Sequence, residues 1–197
     1  MNTFRLFLAA LTVASALSGC SKSNNGGPST PSTTSLVYVN NTYTPISISI
    51  NGASSTIAVG DSLTCTGKPG TPNTGSALTS GITTTNQTVG TVITWDIADV
   101  FPTSGKTSES LDVSPQYFFL KVNNTSSYNV TGVYVNYGLV AQTLDNVSFG
   151  SGLYNIGYYP AYTNSNVRCI SNTGGYWQAN TGLPNVKNQY FTFTLTN

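Results

Sequence analysis

The sequence predicts an all-β protein: an antiparallel β-sandwich of immunoglobulin-like type, made of two related halves after a signal peptide and a flexible linker. Three observations predict it. Apolar and polar residues alternate in many short runs, as where Ile46, Ile48 and Ile50 stand between Ser47, Ser49 and Asn51. Gly, Pro, Asn and Ser clusters bound these runs, and no window carries the apolar stripe of a helix. A pattern that starts at Val39 returns at Val122.

Residues 1–19 read as a signal peptide. Arg5 supplies the positive start and Leu6–Leu17 the apolar centre. That centre is too short for a membrane span, which needs about 20 apolar residues. Leu17-Ser18-Gly19-Cys20 resembles the lipobox of bacterial lipoproteins. The resemblance implies a lipid on the Cys20 sulfur, cleavage before Cys20 and anchoring in a membrane. Ser21 implies the outer membrane as its destination. Residues 20–35 then form the lipidated cysteine and a Ser/Thr/Gly/Pro tether.

The first half runs over residues 36–113. Leu36–Val39 and Ile46–Ile50 are strands, and Asn51-Gly52 is a hairpin turn. Thr56–Val59 and Ser62–Thr66 follow as strands. Lys68–Gly81 reads as a long loop from its Gly, Pro, Ser and Thr content, Val89–Ile97 as a strand around Trp95, and Ala98–Ser114 as a connection. The second half, residues 114–197, carries strands at Tyr117–Val122, Val133–Tyr137, Leu139–Thr143, Val147–Phe149, Gly152–Tyr159, Asn166–Ser171 and Gln189–Thr196, with a turn at Gly138. The last strand puts Phe191, Phe193 and Leu195 on one face.

The halves match as Val39-Asn40-Asn41-Thr42 beside Val122-Asn123-Asn124-Thr125, and Ile48-Ser49-Ile50-Asn51 beside Val133-Tyr134-Val135-Asn136. This points to duplication of one β unit. Within Tyr117–Ser171, the stretches Val122–Thr125, Val133–Asn136, Val147–Gly150 and Pro160–Thr163 resemble a family of bacterial envelope domains of unknown function, with its VNAS, VYVNG, AFG and PAGTY-like motifs. The chain departs from that pattern at Tyr137, inserted before the hairpin glycine, and in lacking a glycine after Ala161. The resemblance implies a β-sandwich in the cell envelope and no particular activity.

Composition narrows the function. Charged residues are 7% of the chain, against about 25% in ordinary domains. Loss of Arg5 takes Lys+Arg from 7 to 6, against 6 Asp+Glu, so the mature chain is near neutral and has no electrostatic footprint for nucleic acid. The chain has no histidine, which removes the commonest general base and metal ligand. The expectation is a non-catalytic protein without cofactor or metal.

Three groups of residues are candidates for a site. Tyr154, Tyr158, Tyr159, Tyr162, Tyr176 and Trp177 are the densest aromatic region, with Asn155, Asn164, Asn166 and Gln178 nearby to bond hydroxyls; flat rings suit the C–H faces of sugars. Tyr158 and Tyr159 are adjacent, so one ring is expected to point outward. Structural filling of a sandwich core competes with that reading. Asp96, Asp99, Glu109 and Asp112 offer carboxylates, but their spacing fits no calcium loop or hydrolase motif. Cys65 and Cys169 remain once Cys20 is lipidated; they form either a disulfide or two separate buried thiols. Asn-X-Ser/Thr triplets, among them those of Asn40, Asn124 and Asn129, are weak glycan-acceptor signals. Three functions fit: an envelope lipoprotein acting through its β surfaces, with a glycan or protein partner; a carbohydrate-binding surface lipoprotein; and an adhesin or fimbria-like subunit that pairs an edge strand such as Tyr190–Thr196 with a neighbour.

Overall fold

The computed structural model describes residues 33–197 apart from 81, 85, 86 and 137–141; for 82–84, 87–89, 142, 143, 145 and 146 it describes the backbone alone. The signal peptide, Cys20, the tether as far as residue 32 and the expected turn at Gly138 lie outside the described residues. Thr34 and Ser35, expected at the end of the tether, already pair in the first strand.

The first half contains β1 (Thr34–Asn40), β2 (Ile46–Ile50), β3 (Ala53–Ile57), β4 (Ser62–Gly67), β5 (Pro72–Thr79), β6 (Ile82–Thr84), β7 (Gln87–Val89), β8 (Thr94–Val100) and β9 (Lys106–Leu111). The second contains β10 (Tyr117–Asn124), β11 (Val130–Val135), β12 (Gln142–Phe149), β13 (Gly152–Pro160), β14 (Asn166–Ser171), β15 (Tyr176–Asn180) and β16 (Tyr190–Leu195). Each half stacks a three-stranded sheet on a four-stranded one. The orders are β4-β1-β9 on β3-β2-β5-β8, and β13-β10-β16 on β12-β11-β14-β15. The β6–β7 hairpin is an addition to the first half. Without it the two halves have the same topology.

The all-β sandwich of two related halves is therefore as the sequence predicts. Among the described residues every pairing is antiparallel except β1 with β9 and β10 with β16, which are parallel. In each half the first and last strands lie side by side. Lettered A to G, the strands divide as D-A-G and C-B-E-F. Immunoglobulin constant domains divide them A-B-E-D and C-F-G, so the sandwich is shared and the strand order is not.

Several elements depart from the sequence reading. Val89–Ile97 is not one strand but the end of β7 and the start of β8, and Val147–Phe149 is the end of β12 rather than a strand of its own. The expected loop Lys68–Gly81 contains β5, a central strand of its sheet. Its weak apolar content hid it, but Gly75 is there for a spatial reason: a Cβ would sit 1.9 Å from the Ser49 carbonyl oxygen. The expected connection Ala98–Ser114 contains the end of β8 and all of β9, a polar strand that is held by β1. Tyr176 and Trp177, which the sequence places in an aromatic region and in no strand, begin the edge strand β15.

Each half has its own core. Leu36, Tyr38, Ile46, Ile48, Ile50 and Ile97 build the first from both sheets. Phe118, Leu120, Val122, Val133, Val135 and Phe193 build the second. Buried polar residues tie the sheets together. The Asn40 amide nitrogen reaches the carbonyls of Thr44, Ile57 and Ala58 at 2.9, 3.0 and 3.1 Å, and its oxygen accepts from the Thr42 N–H and hydroxyl. Asn124 repeats this with the carbonyls of Tyr128, Phe149 and Gly150 and with Ser126. The structural match therefore sets Asn40 on Asn124, one residue later than the sequence match to Asn123. Trp95 and Trp177 also correspond. Each indole donates to a carbonyl just beyond the last strand of its half, Asp112 at 3.1 Å and Thr196 at 2.8 Å. Asn51 and Gly52 have φ of 49° and 83°, the left-handed pair that a two-residue hairpin requires, and Asn136 repeats the conformation at 57°.

A third cluster joins the halves. Ile93, Val113, Phe119 and Tyr158 are buried there, with Tyr43, Trp95 and Tyr117 around them. The Tyr43 ring stacks on Phe119 at 5.2 Å and the Tyr43 N–H donates to the Tyr158 hydroxyl at 2.8 Å. The Asp112 carboxylate accepts from Asn41 and Asn188 and faces the Lys187 ammonium at 3.6 Å. Partial burial pushes the Asp112 pKa up. The bonds from Asn188 and Asn41 and the Lys187 charge outweigh burial and hold it below the usual carboxylate value.

Two outcomes follow from these contacts. Asn40→Ala strips partners from buried carbonyls and is expected to cost about 3 kcal/mol in urea unfolding; a loss below about 1 kcal/mol would show that water replaces the amide. The depressed Asp112 value means its contribution is present above the unfolded pKa of about 3.9 and lost as pH falls through the lower folded value. Asp112→Asn should therefore lower the melting temperature at pH 7 and flatten its fall below about pH 4. An unchanged acid profile would place the acid sensitivity elsewhere.

Candidate functional site

The six aromatic residues do not form one surface. Tyr158 and Tyr159 are both buried, at 2% and 1% exposure, which corrects the expectation that one ring faces solvent. β13 has a bulge at Ile156, beyond which Tyr158 and Tyr159 still point to opposite faces, but both faces are covered here: Tyr159 enters the second core beside Phe118, and Tyr158 enters the cluster between the halves. Burial raises both phenol pKa values. Tyr154 is half-buried and stacks on Phe149 at 4.6 Å. Trp177 is half-buried against the second core and donates to the Thr196 carbonyl. Only Tyr162, after β13, and Tyr176, on β15, are well exposed.

Tyr176 belongs to a different grouping, on the outer face of β11, β14 and β15. The register sets Tyr134 opposite Arg168 and Arg168 opposite Gln178. Tyr176 is one residue pair along, opposite Ile170. The Arg168 guanidinium donates through Nε and Nη2 to the Gln178 side-chain oxygen at 2.9 and 2.7 Å. Its central carbon lies 4.6 Å from the centre of the Tyr176 ring, in cation–π contact. The pair Asn166 and Asn180 continues the same face. The result is a flat, largely polar strip with two tyrosines, Tyr134 and Tyr176, in which Arg168, Gln178 and Tyr176 hold one another in place.

Sequence reading found Tyr176 and Gln178 and missed Arg168 and Tyr134. The signal was available: in Asn166–Ser171, Val167 and Cys169 point inward, so Arg168 must point out. What the sequence did not show was that β15 lies beside β14.

The duplication gives this face an internal comparison. Ala77 pairs with Trp95 as Cys169 pairs with Trp177. By that register Ser76 stands where Arg168 does, Asp96 where Gln178 does, Thr94 where Tyr176 does and Ser49 where Tyr134 does. The first-half face is a shallow groove lined by Ser47, Ser49, Ser54, Thr56, Ser76 and Leu78.

The carboxylates are dispersed. Asp99 accepts the Tyr38 hydroxyl at 2.7 Å, in a chain that continues through Asn73 to Asn51. Asp112 serves the junction of the halves, and Asp96 and Glu109 sit on β8 and β9. Asn40 and Asn124 are fully buried, which removes them as glycan acceptors in the folded chain. Cys65 and Cys169 are free thiols, so the disulfide reading is corrected: one lies in the first core, the other in the second. Burial raises both thiol pKa values, that of Cys169 to about 12, while a bond from Asn73 partly offsets the effect at Cys65. Buried thiols of this kind are poor nucleophiles.

Comparison with protein-family models and with curated proteins finds no match to this chain.

The thiol placement is testable with Cys20→Ser protein. A colourless disulfide reagent that releases a coloured thiolate should titrate almost no thiol in the native chain and two in denaturant. Fewer than two in denaturant without reductant would restore the disulfide.

Proposed function

We propose that this chain is a non-catalytic lipoprotein of the bacterial cell envelope, anchored at the outer membrane through Cys20, whose second half binds carbohydrate. The lipobox-like Leu17–Cys20 and the likeness of Tyr117–Ser171 to envelope domains support the place. The observation that carries the binding role is the Arg168–Tyr176–Gln178 arrangement. An exposed ring offers a stacking surface for the apolar face of a pyranose. A guanidinium and amides beside it offer donors and acceptors for the hydroxyls around that face. The strip is broad and open, which suits a stretch of polymer lying along it better than a small molecule that needs enclosure.

The internal comparison supports the same face. Both halves keep the Asn and Trp contacts that hold the sandwich. At the outer positions the first half has Ser, Thr and Asp where the second has Arg, Tyr and Gln. The side chains that differ are those that no packing requirement fixes.

Tyr176 emission reports on this face directly, and Trp177 reports from the inner side of the same strand, where it packs on the second core. Titration of the full chain with a panel of neutral and acidic polysaccharides should give a saturable shift for one class. Tyr176→Ala should weaken that binding about tenfold, about 1.4 kcal/mol. No saturable shift with any polysaccharide, or full affinity in the Tyr176→Ala chain, would overturn the carbohydrate reading.

A further inference from the structure

The open edge of β16 carries an inference that is independent of the ligand face. Among the described residues β16 pairs only with β10. The carbonyls of Gln189 and Leu195 accept from Phe119 and Thr125, so the odd-numbered residues of this strand direct their backbone groups to β10. Tyr190, Thr192 and Thr194 direct theirs the other way, are exposed, and have no backbone partner among the described residues. The opposite edge of the same sheet is occupied, because the Tyr158 carbonyl on β13 accepts the Thr91 N–H of the first half at 2.7 Å.

Proteins blunt open edges with charge, especially charge at inward-pointing positions. The equivalent strand of the first half, β9, has this protection. Glu109 faces Tyr38 of β1 as Phe193 faces Val122 of β10, so a carboxylate stands where β16 has a buried ring. Lys106 begins the same strand. β16 reads Tyr-Phe-Thr-Phe-Thr-Leu, with no charge. Other edges here are also uncharged, namely β3, β4 and β15, but they contain Ala, Ser, Gly, Gln or Asn. β16 alone among these edges is built wholly of strand-favouring aromatic and β-branched residues and a leucine.

The pattern is also self-complementary. Two copies of β16 laid antiparallel about a two-fold axis at Thr192 set Thr192 opposite Thr192 and Tyr190 opposite Thr194. These are the residues with free backbone groups, so each opposed pair exchanges both N–H···O bonds. Phe191 then opposes Phe193 on the inner face, next to the existing stack of those two rings. No like charges meet, which an isologous contact otherwise risks because each residue meets its own mirror set. We propose that β16 is a homodimerisation strand, joining two copies of this chain in a continuous sheet β13-β10-β16-β16-β10-β13.

Light scattering on the full chain with Cys20→Ser, in mild detergent, should show a mass twice that of the 20.7 kDa chain as concentration rises. Thr192→Pro should abolish the dimer and leave the melting temperature near that of the parent, since the lost N–H has no partner within the chain and edge positions of this kind accept proline. Should that variant unfold, Thr194→Lys makes the same test by placing a charge on the edge. The register has its own readout. A hydrogen-bonded antiparallel pair has Cα atoms about 5.5 Å apart, within disulfide reach. Thr192→Cys should therefore cross-link under mild oxidation at least tenfold faster than Thr194→Cys. A monomer at all concentrations, a dimer that survives both edge variants, or equal cross-linking at 192 and 194 would overturn the proposal.

Discussion

Asn40 and Asn124 are the contacts on which each sandwich depends. Two stacked sheets leave polar chain ends where the strands cross from one layer to the other, and water is excluded there. One buried amide answers this in each half. It leaves the end of the first strand, reaches the carbonyl before the second, and reaches the carbonyls at the end of the third. Its oxygen meanwhile closes the turn that follows it. An aspartate in the same place would lose the donors and bring an unpaired charge into the core. The short Ser/Thr-rich strands can then stay thin, because their ends are bonded rather than buried under bulk.

The second constraint is the surface between the halves. β13 is covered on both faces, by its own core and by the first half, and two adjacent tyrosines fill the two spaces. Tyr43, Asn41 and Asp112 of the first half and Lys187 and Asn188 of the second complete the joint. The chain between them is short: β9 ends at Leu111 and β10 begins at Tyr117. A short connection with an apolar cluster and a hydrogen-bonded rim leaves little freedom for one half to turn on the other. Their outer sheets are therefore presented in a fixed relation.

Much of this fold was legible in the sequence where local chemistry decides the outcome. The Ile46–Ile50 alternation became β2 and Asn51-Gly52 its hairpin because period and turn type are properties of neighbouring residues. β5 and β9 were not legible for the opposite reason. Pro72–Thr79 and Lys106–Leu111 are strands because partners on both sides, or β1 alone, supply their hydrogen bonds. Tyr158 misled the reading of the aromatic region in the same way. Alternation correctly sent it to the far face of β13, and nothing local could say that the first half covers that face. At the candidate site the ring at 176 and the amide at 178 were visible as types, whereas Arg168 entered only through a pairing that brings two strands together.

Duplication makes the differences between the halves more informative than the similarities. Two copies under the same folding constraints keep what packing demands: the amide at 40 and 124, the indole at 95 and 177, the left-handed asparagine at 51 and 136. Outward positions on the four-stranded sheets answer to no such demand, since Ser, Thr and Asp satisfy the fold there in the first half. An arginine carried on an exposed strand loses side-chain entropy when it is fixed over a ring and bonded twice to a glutamine. That loss brings the sandwich no core contact, because Arg168 and Gln178 lie outside both clusters. An ordered guanidinium on a surface where a serine would suffice is what supports the proposal that the working face of this protein lies on β11, β14 and β15.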